Sequence, residues 1–334
     1  MARWGGRGLA PRRKGIVIGG GMLLFLAGVV EQLDLALEHI AKRDVHNARF
    51  GLMMTDNAVE LMLHKMVKDK RVEAGSWRYC NKPYPYESQL RKAFLGSFSD
   101  KVAFALIEGG LDAKCARTFN ILHNYRNDVY HAGLAHEGIL LSLARFYFYK
   151  SCVYLSHYQP MGIGWSSGQK MPVRVQKYFN GDRTLPGERE DFADACKAMA
   201  TAITFDPAEI SEVLADDMDQ IIEYMDTCIQ IVADGVYQGQ QTTRNQAIID
   251  TQAWGLAFSD EGKAFVANLG FKGQSVRSVD LLVKKYHFPF RHDPIPKWRE
   301  RSKKLRSKVD PDKALESYQS FVTTTGPLRL STLL

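Results

Sequence analysis

The stretch that decides the fold reads HNYRNDVYHAG and covers residues 123–133. It lies within a longer helical pattern that begins near Cys115. At 100° per residue, apolar side chains gather on one side of this helix, namely those of Cys115, Leu122, Tyr125 and Val129. The other side carries His123, Asn124, Asn127 and His131. The pattern therefore predicts a helix with one buried face and one polar face rich in groups that transfer protons.

Helical patterns flank this stretch on both sides. A long helix with an apolar stripe is predicted from Asp44 to about Arg71, and the segment from Glu73 to Glu87 is predicted to be a loop. After Gly133 comes a second long helix, from about Glu137 to Tyr158, that is apolar on most of its sides. Such a helix is buried or lies at an interface. The first half of the chain is therefore predicted to be an up-and-down helical bundle.

The spacing of Arg126, Asn127 and His131 resembles the Arg-x4-6-His signature of HEPN domains, which are small helical modules found in many RNases and RNase toxins. The stretch from His46 to Leu61 also resembles the long second helix of that family. The resemblance covers about residues 30–158. An Arg-x4-His spacing also arises by chance, so a polar stripe of purely structural residues is the alternative interpretation.

The resemblance implies an activity and a set of site residues. HEPN RNases cleave RNA without a metal ion by driving the ribose 2′-hydroxyl onto the adjacent phosphorus. His131 suits the proton transfers because its unperturbed pKa lies near physiological pH. Arg126 suits the phosphate because it offers a planar fork of donors, and Asn127 is expected to orient the imidazole or the phosphate. The sequence predicts neither a cofactor nor a metal site.

Four further residues are candidates to support the motif, namely Asp56, Glu60, Asp128 and Tyr130. Asp56 and Glu60 lie at the edge of the apolar stripe of the preceding helix, where a carboxylate is usually solvated or paired. A solvated or structurally paired carboxylate is the favoured interpretation, and the alternative is that one of the two orients Arg126 or His131. Four other histidines are interpreted as structural or surface residues, namely His123, His136, His287 and His292.

The reaction needs both a base and an acid, whereas one copy of the motif supplies one proton carrier. The resemblance implies a symmetric homodimer that brings two copies into one cleft. An ideal helix separates Arg126 and His131 by about 140°. The sequence therefore predicts either a helix break near Asp128 or an Arg126 side chain that reaches across.

The formal net charge of +7 is concentrated at the two ends of the chain. Residues 1–14 hold five Lys or Arg and no acid, and residues 272–308 hold twelve Lys or Arg against three acids. Residues 181–235 between them hold fourteen acids against three bases. A basic segment suits a polyanion such as RNA. The alternative, which the sequence leaves equally open, is that the basic segment pairs with the acidic segment of its own chain.

Six residues of the basic segment are candidates for RNA binding, namely Lys284, Lys285, Arg291, Lys297, Arg299 and Arg301. The segment contains a predicted helix from Ser275 to Tyr286. A helix-turn-helix unit that binds DNA is not supported, because no recognition helix is evident.

The chain is divided by composition and helical pattern into five parts. Residues 1–21 are a basic, glycine-rich extension that is either disordered or precedes a natural start at Met22. Residues 22–158 are the HEPN-like bundle, 159–187 a linker with a short helical turn at Val173 to Phe179, and 188–237 an acidic helical segment. Residues 238–334 are basic and mainly helical. The whole chain is therefore predicted to be all-α.

The five cysteines are odd in number, lie far apart and form no CxxC pair. This pattern disfavours a disulfide framework or a zinc knuckle and fits the reducing cytoplasm. The apolar run from Gly15 to Val30 is short for a membrane span and merges into an amphipathic helix. A membrane location is therefore not expected.

The sequence favours a metal-independent endoribonuclease that acts on RNA as a homodimer, in the role of a toxin or defence effector. An antitoxin or a nucleotidyltransferase is the expected partner of such a protein. Two alternatives from other classes remain. The first is a catalytically inactive HEPN-like module that binds a nucleotide or a protein, and the second is a helical scaffold held at a membrane by residues 1–30.

Overall fold

The protein is described by a computed structural model over residues 21–77, 84–132, 136–158, 170–179, 189–235, 240–271 and 276–332. Within these ranges the chain forms thirteen α-helices and one 3-10 helix, and it forms no β-strand. The predicted all-α class is confirmed. The expected N-terminal extension lies outside the described residues except for Gly21.

The first six helices follow one another with short connections. They are α1 (Met22–Ala41), α2 (Val45–Trp77), α3 (Glu87–Leu95), α4 (Phe98–Ile107), α5 (Ala113–Ala132) and α6 (Glu137–Leu155). After the 3-10 helix at Val173–Tyr178 come α7 (Arg189–Ala202), α8 (Pro207–Ala233), α9 (Arg244–Phe258), α10 (Asp260–Asn268), α11 (Val276–Lys285), α12 (Ile295–Arg306) and α13 (Pro311–Thr332). One cluster of buried apolar side chains includes residues from α1 to α13, so both halves of the chain contribute to a common core.

α6 is the helix around which the N-terminal helices pack. It contacts α1, α2, α5, α7 and α8, and these helices cover its apolar side chains. Leu140, Phe146 and Cys152 are fully buried. Burying a side chain such as Leu or Phe contributes roughly 1.5–3 kcal/mol. The helix that was predicted to be buried or at an interface is therefore buried by its own chain.

α1 holds the C-terminal half of the apolar run that superficially resembles an anchor. It packs along α2 and α6, and its side chains Leu23, Leu26, Val30 and Leu33 are almost completely buried. The apolar residues of α1 therefore belong to the core. Among the described residues, no helix combines the length and the hydropathy that a membrane crossing requires.

α2 is longer than the sequence predicts. The predicted loop was placed from Glu73 onward, whereas the helix continues to Trp77. Lys70 pairs with Glu73 at 3.1 Å, one turn apart, and Ala74 is buried in a small cluster with Tyr84 and Leu90. These contacts stabilise the last turns of α2. Residues 78–83 of the predicted loop lie outside the described residues.

The 3-10 helix lies in the predicted linker, where a short helical turn was expected, and it is fixed to α1. The carboxylate of Asp34, which is 4% exposed, receives bonds from Arg174 (2.8 Å) and Tyr178 (2.6 Å), and Lys177 lies 2.7 Å away. Burial by itself raises the pKa of Asp34, but the bonds from Lys177, Tyr178 and Arg174 outweigh burial and lower it below 3.8. Asp34 therefore connects the linker to the bundle.

Replacing Asp34 by Asn is expected to lower the free energy of unfolding by about 2 kcal/mol at pH 7, because three donors lose a charged acceptor. Because folding lowers the pKa of Asp34, its ionised carboxylate stabilises the folded protein above about pH 3.8. This stabilisation is lost as the pH falls through the lowered pKa. Urea unfolding at pH 7 and pH 3 measures both effects. The difference between the wild type and the variant should shrink at pH 3, and a constant difference would contradict the role of the charge. The control is Glu38→Gln, because the exposed Glu38 also pairs with Arg174, at 2.8 Å.

The basic helix α12 packs on the acidic helix α8. Arg306 pairs with Glu212, with Asp216 at 2.8 Å and with Asp219 at 2.9 Å. Arg299 pairs with Glu223 at 3.3 Å and with Asp226 at 2.7 Å. α8 begins with Pro207 in its first turn, and the side chain of Asp206 caps the amide of Ala208. For these arginines the structure shows pairing within the chain, which was one of the two interpretations of the charge pattern.

Replacing Arg306 by Ala is expected to lower the free energy of unfolding by about 1 kcal/mol at low salt, because three exposed carboxylates lose their shared cation. The effect should diminish at high ionic strength, where exposed charges are screened. Thermal unfolding at two salt concentrations, with Lys303→Ala as the exposed control on the same helix, measures the difference. An Arg306→Ala effect that does not depend on salt would show that packing of its aliphatic stem is the main contribution.

Candidate functional site

The polar face of α5 carries the residues of the predicted motif. His123, Asn127 and Tyr130 lie within about 60° of one another around the helix axis. Arg126 and His131 flank them on either side and are about 140° apart. Their neighbours Leu122, Tyr125 and Val129 are buried in the core on the other side. α5 runs without interruption to Ala132. The break near Asp128 that the sequence offered as one arrangement is therefore wrong.

A fully buried carboxylate lies behind this face. Asp56 of α2 is 0% exposed, and the hydroxyl of the buried Tyr147 donates to its Oδ1 at 2.7 Å. Nδ1 of His123 lies 2.9 Å from Oδ1 and 3.1 Å from Oδ2. Nε of Arg126 lies 3.3 Å from Oδ2 as an ion pair without hydrogen-bond geometry. Because a buried charge is costly unless it is paired, these contacts make α5 and α2 dependent on one another.

The buried cluster also affects the hydroxyl of Tyr147. Burial, followed by the negative charge of Asp56, raises the pKa of Tyr147 well above 10. The phenol therefore remains protonated and acts as a hydrogen-bond donor to the carboxylate. α6, α2 and α5 meet at this point of the core, since Tyr147 belongs to α6.

His123 is held from two directions. Its Nδ1 contacts Asp56, and its ring stacks parallel on Phe98 with the centroids 4.0 Å apart. Phe98 is the first residue of α4, and a capping box between Ser97 and Asp100 fixes this helix start. Bonds from Lys92 and then from Ser97 lower the pKa of Asp100 to about 2. Asp56 and Phe98 together therefore orient the imidazole of His123, although its side chain remains 16% exposed.

Arg126 is half-buried and has three different contacts. Its Nε faces Asp56, its Nη1 donates to Oδ1 of Asn127 at 3.0 Å, and its guanidinium carbon lies 5.3 Å from the centre of the Tyr130 ring. A guanidinium carries five N–H donors, so these contacts leave donors available at its outer end. Among the described contacts, Asn127 therefore bonds to the cation of the motif and to no imidazole.

Tyr130 and His131 form the exposed end of the site. The Tyr130 ring is 54% exposed, and His131 is exposed beside it, with the ring centroids 5.2 Å apart and nearly perpendicular. Tyr130 therefore contacts both Arg126 on one side and His131 on the other. Within one chain, the guanidinium and this imidazole each contact the Tyr130 ring.

The supporting candidates divide into two groups. Asp56 and Tyr130 contact Arg126, as described above. Glu60 lies 3.1 Å from the amine of Lys101, and Asp128 lies 3.4 Å from Nε2 of His136 at the start of α6. The structure therefore brings two of the four candidates to the motif, whereas the other two contact different partners, Lys101 and His136.

The RNA-binding candidates do not lie against this face. Among the described residues α5 packs against α2, α4, α6 and α13, but not against α11 or α12. Arg299 is paired with α8, Arg301 donates to the carbonyl of Ser317 at 3.3 Å, and Arg291 donates to the carbonyl of Tyr286 at 2.8 Å. The remaining three are exposed, namely Lys284, Lys285 and Lys297.

The described cysteines are free thiols. Cys115, Cys152 and Cys196 are buried, whereas Cys228 is partly exposed. Burial raises the pKa of Cys115 to about 11, and the buried thiols are therefore protonated at neutral pH. In the described ranges no group of three or more His, Cys, Asp or Glu side chains is placed to hold a metal ion. Cys80 lies outside the described residues.

The site is thus a pair of histidines and an arginine on one face of a helix in an all-α protein, with a buried carboxylate behind the arginine. A scan of protein-family models, a search of curated proteins and a search of solved structures each found no match for this chain.

The sequence pattern favours a structural role for His123 and gives no indication of its contact with Asp56. The two residues lie 67 positions apart, and their contact depends on how α2 crosses α5. One local signal was present, because His123 lies one helical turn before Arg126 and shares its face.

Proposed function

We propose that this protein is a metal-independent endoribonuclease of the HEPN type. The observation that supports the proposal is the arrangement on α5. The guanidinium of Arg126 is held by the buried Asp56, and the exposed ring of Tyr130 separates it from the exposed imidazole of His131. A fixed cation with free donors and an exposed imidazole are the groups that phosphodiester cleavage requires.

The reaction begins when a base removes the proton of a ribose 2′-hydroxyl. The 2′-oxygen then attacks the adjacent phosphorus, and the bond from phosphorus to the 5′-oxygen breaks as an acid gives that oxygen a proton. Negative charge accumulates on the phosphoryl oxygens, and the outer donors of Arg126 stabilise it. His131 exchanges protons with the substrate, because an imidazole changes its charge near neutral pH.

Tyr130 suits a single-stranded substrate. Its ring is more than half exposed and lies against a guanidinium, as in sites where an aromatic side chain stacks on an unpaired base. We infer that a base adjacent to the scissile phosphate stacks on Tyr130. RNA is accordingly the proposed substrate, and the roles as a toxin or defence effector, with an antitoxin or nucleotidyltransferase as partner, follow only from the HEPN resemblance.

Replacing Arg126 by Lys is the test of this function, since Lys keeps a positive charge beside Asp56 but loses the planar fork. In excess EDTA, the wild type should cleave single-stranded RNA, and Arg126→Lys should lower kcat about 100-fold or more. The matched control is Arg117→Ala, an exposed arginine of the same helix that pairs with Glu316. Equal cleavage by the wild type and Arg126→Lys would reject the site. Absence of cleavage by the wild type would favour a binding module without catalysis.

A further inference from the structure

The proposed cleavage needs two proton carriers at one phosphate, and the motif of Arg126 and His131 supplies one. We propose that His123 is the second proton carrier, held in place by Asp56. This inference rests on the proposed endoribonuclease function and adds a catalytic residue to it.

The first support is that His123 and Arg126 share one carboxylate. Nδ1 of His123 lies 2.9 Å from Oδ1 of Asp56, and Nε of Arg126 lies 3.3 Å from Oδ2 of the same group. The imidazole and the guanidinium are therefore neighbours. Of the two imidazoles on the polar face, His123 is linked to Arg126 through Asp56, whereas His131 is separated from it by the ring of Tyr130.

The second support is that the contact with Asp56 assigns roles to the two ring nitrogens. A carboxylate accepts hydrogen bonds, so Nδ1 carries the proton that is donated to Asp56. Nε2 is then the nitrogen that can accept a proton from a substrate or donate one to it. The parallel stack on Phe98 fixes the plane of the ring. Because the ring is already held in place, the imidazole loses little conformational freedom when the substrate binds.

The third support is the position along α5. His123 precedes Arg126 by three residues, which is a rise of about 4.5 Å, and His131 follows it by five residues, about 7.5 Å. Around the axis, His123 is about 60° from Arg126 and His131 about 140°. His123 is therefore the nearer of the two imidazoles to a phosphate on the outer donors of Arg126. The side chains of both His123 and Arg126 are partly exposed, at 16% and 26%. Neither side chain is therefore sealed inside the core.

With two imidazoles, one chain can both accept and donate the protons that cleavage requires. One imidazole takes the 2′-proton as the bond from the 2′-oxygen to phosphorus forms. The other gives a proton to the 5′-oxygen as its bond to phosphorus breaks. Proton exchange with water restores both rings. The count of proton carriers then no longer requires a second copy of the chain.

The variant His123→Asn distinguishes a role of His123 in proton transfer from a purely structural role. The Asn amide occupies the position of Nδ1 and can still donate to Asp56, but it cannot exchange protons near neutral pH. With RNA of natural linkage, kcat should fall about 100-fold or more while KM and the unfolding temperature change little. The matched control is His157→Asn, because His157 is an exposed histidine just after α6. A kcat for His123→Asn within about threefold of the wild type overturns the proposal.

A substrate with sulfur in place of the 5′-bridging oxygen sharpens the test, because a thiolate leaves without being protonated. Either His123→Asn or His131→Asn, whichever variant lacks the acid, should regain a rate near that of the wild type on this substrate. The other variant lacks the base and should remain slow. Rescue of both variants or of neither contradicts the proposal.

A third measurement is the pH dependence of the residual rate. In His131→Asn, the residual rate should still depend on pH if His123 carries a proton, and the double variant His123→Asn/His131→Asn should lose that dependence. Identical pH profiles for the single and the double variant overturn the inference. The two proposals fail in different ways. If Arg126→Lys is inactive but His123→Asn is not, only the role of His123 is rejected. If the wild type does not cleave RNA, both proposals are rejected.

Discussion

Replacing His131 by Asn is expected to lower kcat for RNA cleavage about 1000-fold. An imidazole that transfers a proton in the transition state contributes typically 100-fold to 10,000-fold, and His131 is the exposed imidazole of the motif. Among the described ring contacts, its ring contacts only the exposed ring of Tyr130. The free energy of unfolding should therefore stay within about 0.5 kcal/mol of the wild type. Single-turnover cleavage and urea unfolding measure the two quantities on the same preparation.

The matched control is His292→Asn, a second exposed histidine that lies between α11 and α12. This variant should cleave RNA at the wild-type rate. If His131→Asn and His292→Asn have the same activity, His131 has no part in the reaction, even if the protein is an RNase. A large loss of stability in His131→Asn would instead mean that the exposed end of α5 is important for folding.

Replacing Asp56 by Ala is expected to have the largest effect on stability, a loss of about 3–5 kcal/mol. The substitution removes a fully buried carboxylate from three partners, namely His123, Arg126 and Tyr147. Breaking a buried ion pair by removing one member leaves an uncompensated charge and an unsatisfied donor. The same change releases Arg126 and His123, so RNA cleavage should fall as well. Urea unfolding followed by circular dichroism measures the stability.

Asp128→Ala is the matched control, because Asp128 also pairs with a histidine but its side chain is 57% exposed. Exposed pairs contribute about 0–1 kcal/mol. Equal losses of stability in the two variants would contradict the buried role of Asp56. The loss of stability in Asp56→Asn should lie between those of Asp56→Ala and Asp128→Ala. The amide oxygen can still accept the hydrogen bond from Tyr147, but it cannot balance the charge of Arg126.

The helices could be predicted because their signals are local. Asp206 and Pro207 mark the start of α8, and the structure begins the helix at Pro207 with the Asp206 side chain bonded to the amide of Ala208. The apolar periodicity likewise places α5 and α6 nearly where the structure has them. α2 was predicted too short, because Ala74 packs against a tyrosine and a leucine that follow it in the chain.

The contacts of the candidate site could be predicted only in part. The positions of Arg126, Tyr130 and His131 on one helix follow from spacing alone. That Asp56 and not Glu60 contacts Arg126 depends on the crossing of α2 and α5, although both carboxylates lie on the same helix. A pattern within one segment cannot distinguish them. The role of Phe98 as a stacking partner of His123 depends in the same way on the position of α4.

The partners of the charged segments could also be predicted only in part from the sequence. Composition alone could not decide whether the basic segment binds RNA or the acidic segment of its own chain. The structure pairs Arg299 and Arg306 with α8 because the buried Trp298 and Leu305 place α12 against the same core. The apolar residues therefore determine which charges meet.

The chemistry of the cleaved ends tests the central claim most directly, because attack by the 2′-hydroxyl leaves a particular product. The wild type, incubated with single-stranded RNA in excess EDTA, should yield fragments that end in a 2′,3′-cyclic phosphate and begin with a 5′-hydroxyl. A DNA strand of the same sequence should stay intact, since it lacks the attacking group. Fragments with 3′-hydroxyl and 5′-phosphate ends, or cleavage of the DNA strand, would contradict a reaction driven by the 2′-hydroxyl at Arg126.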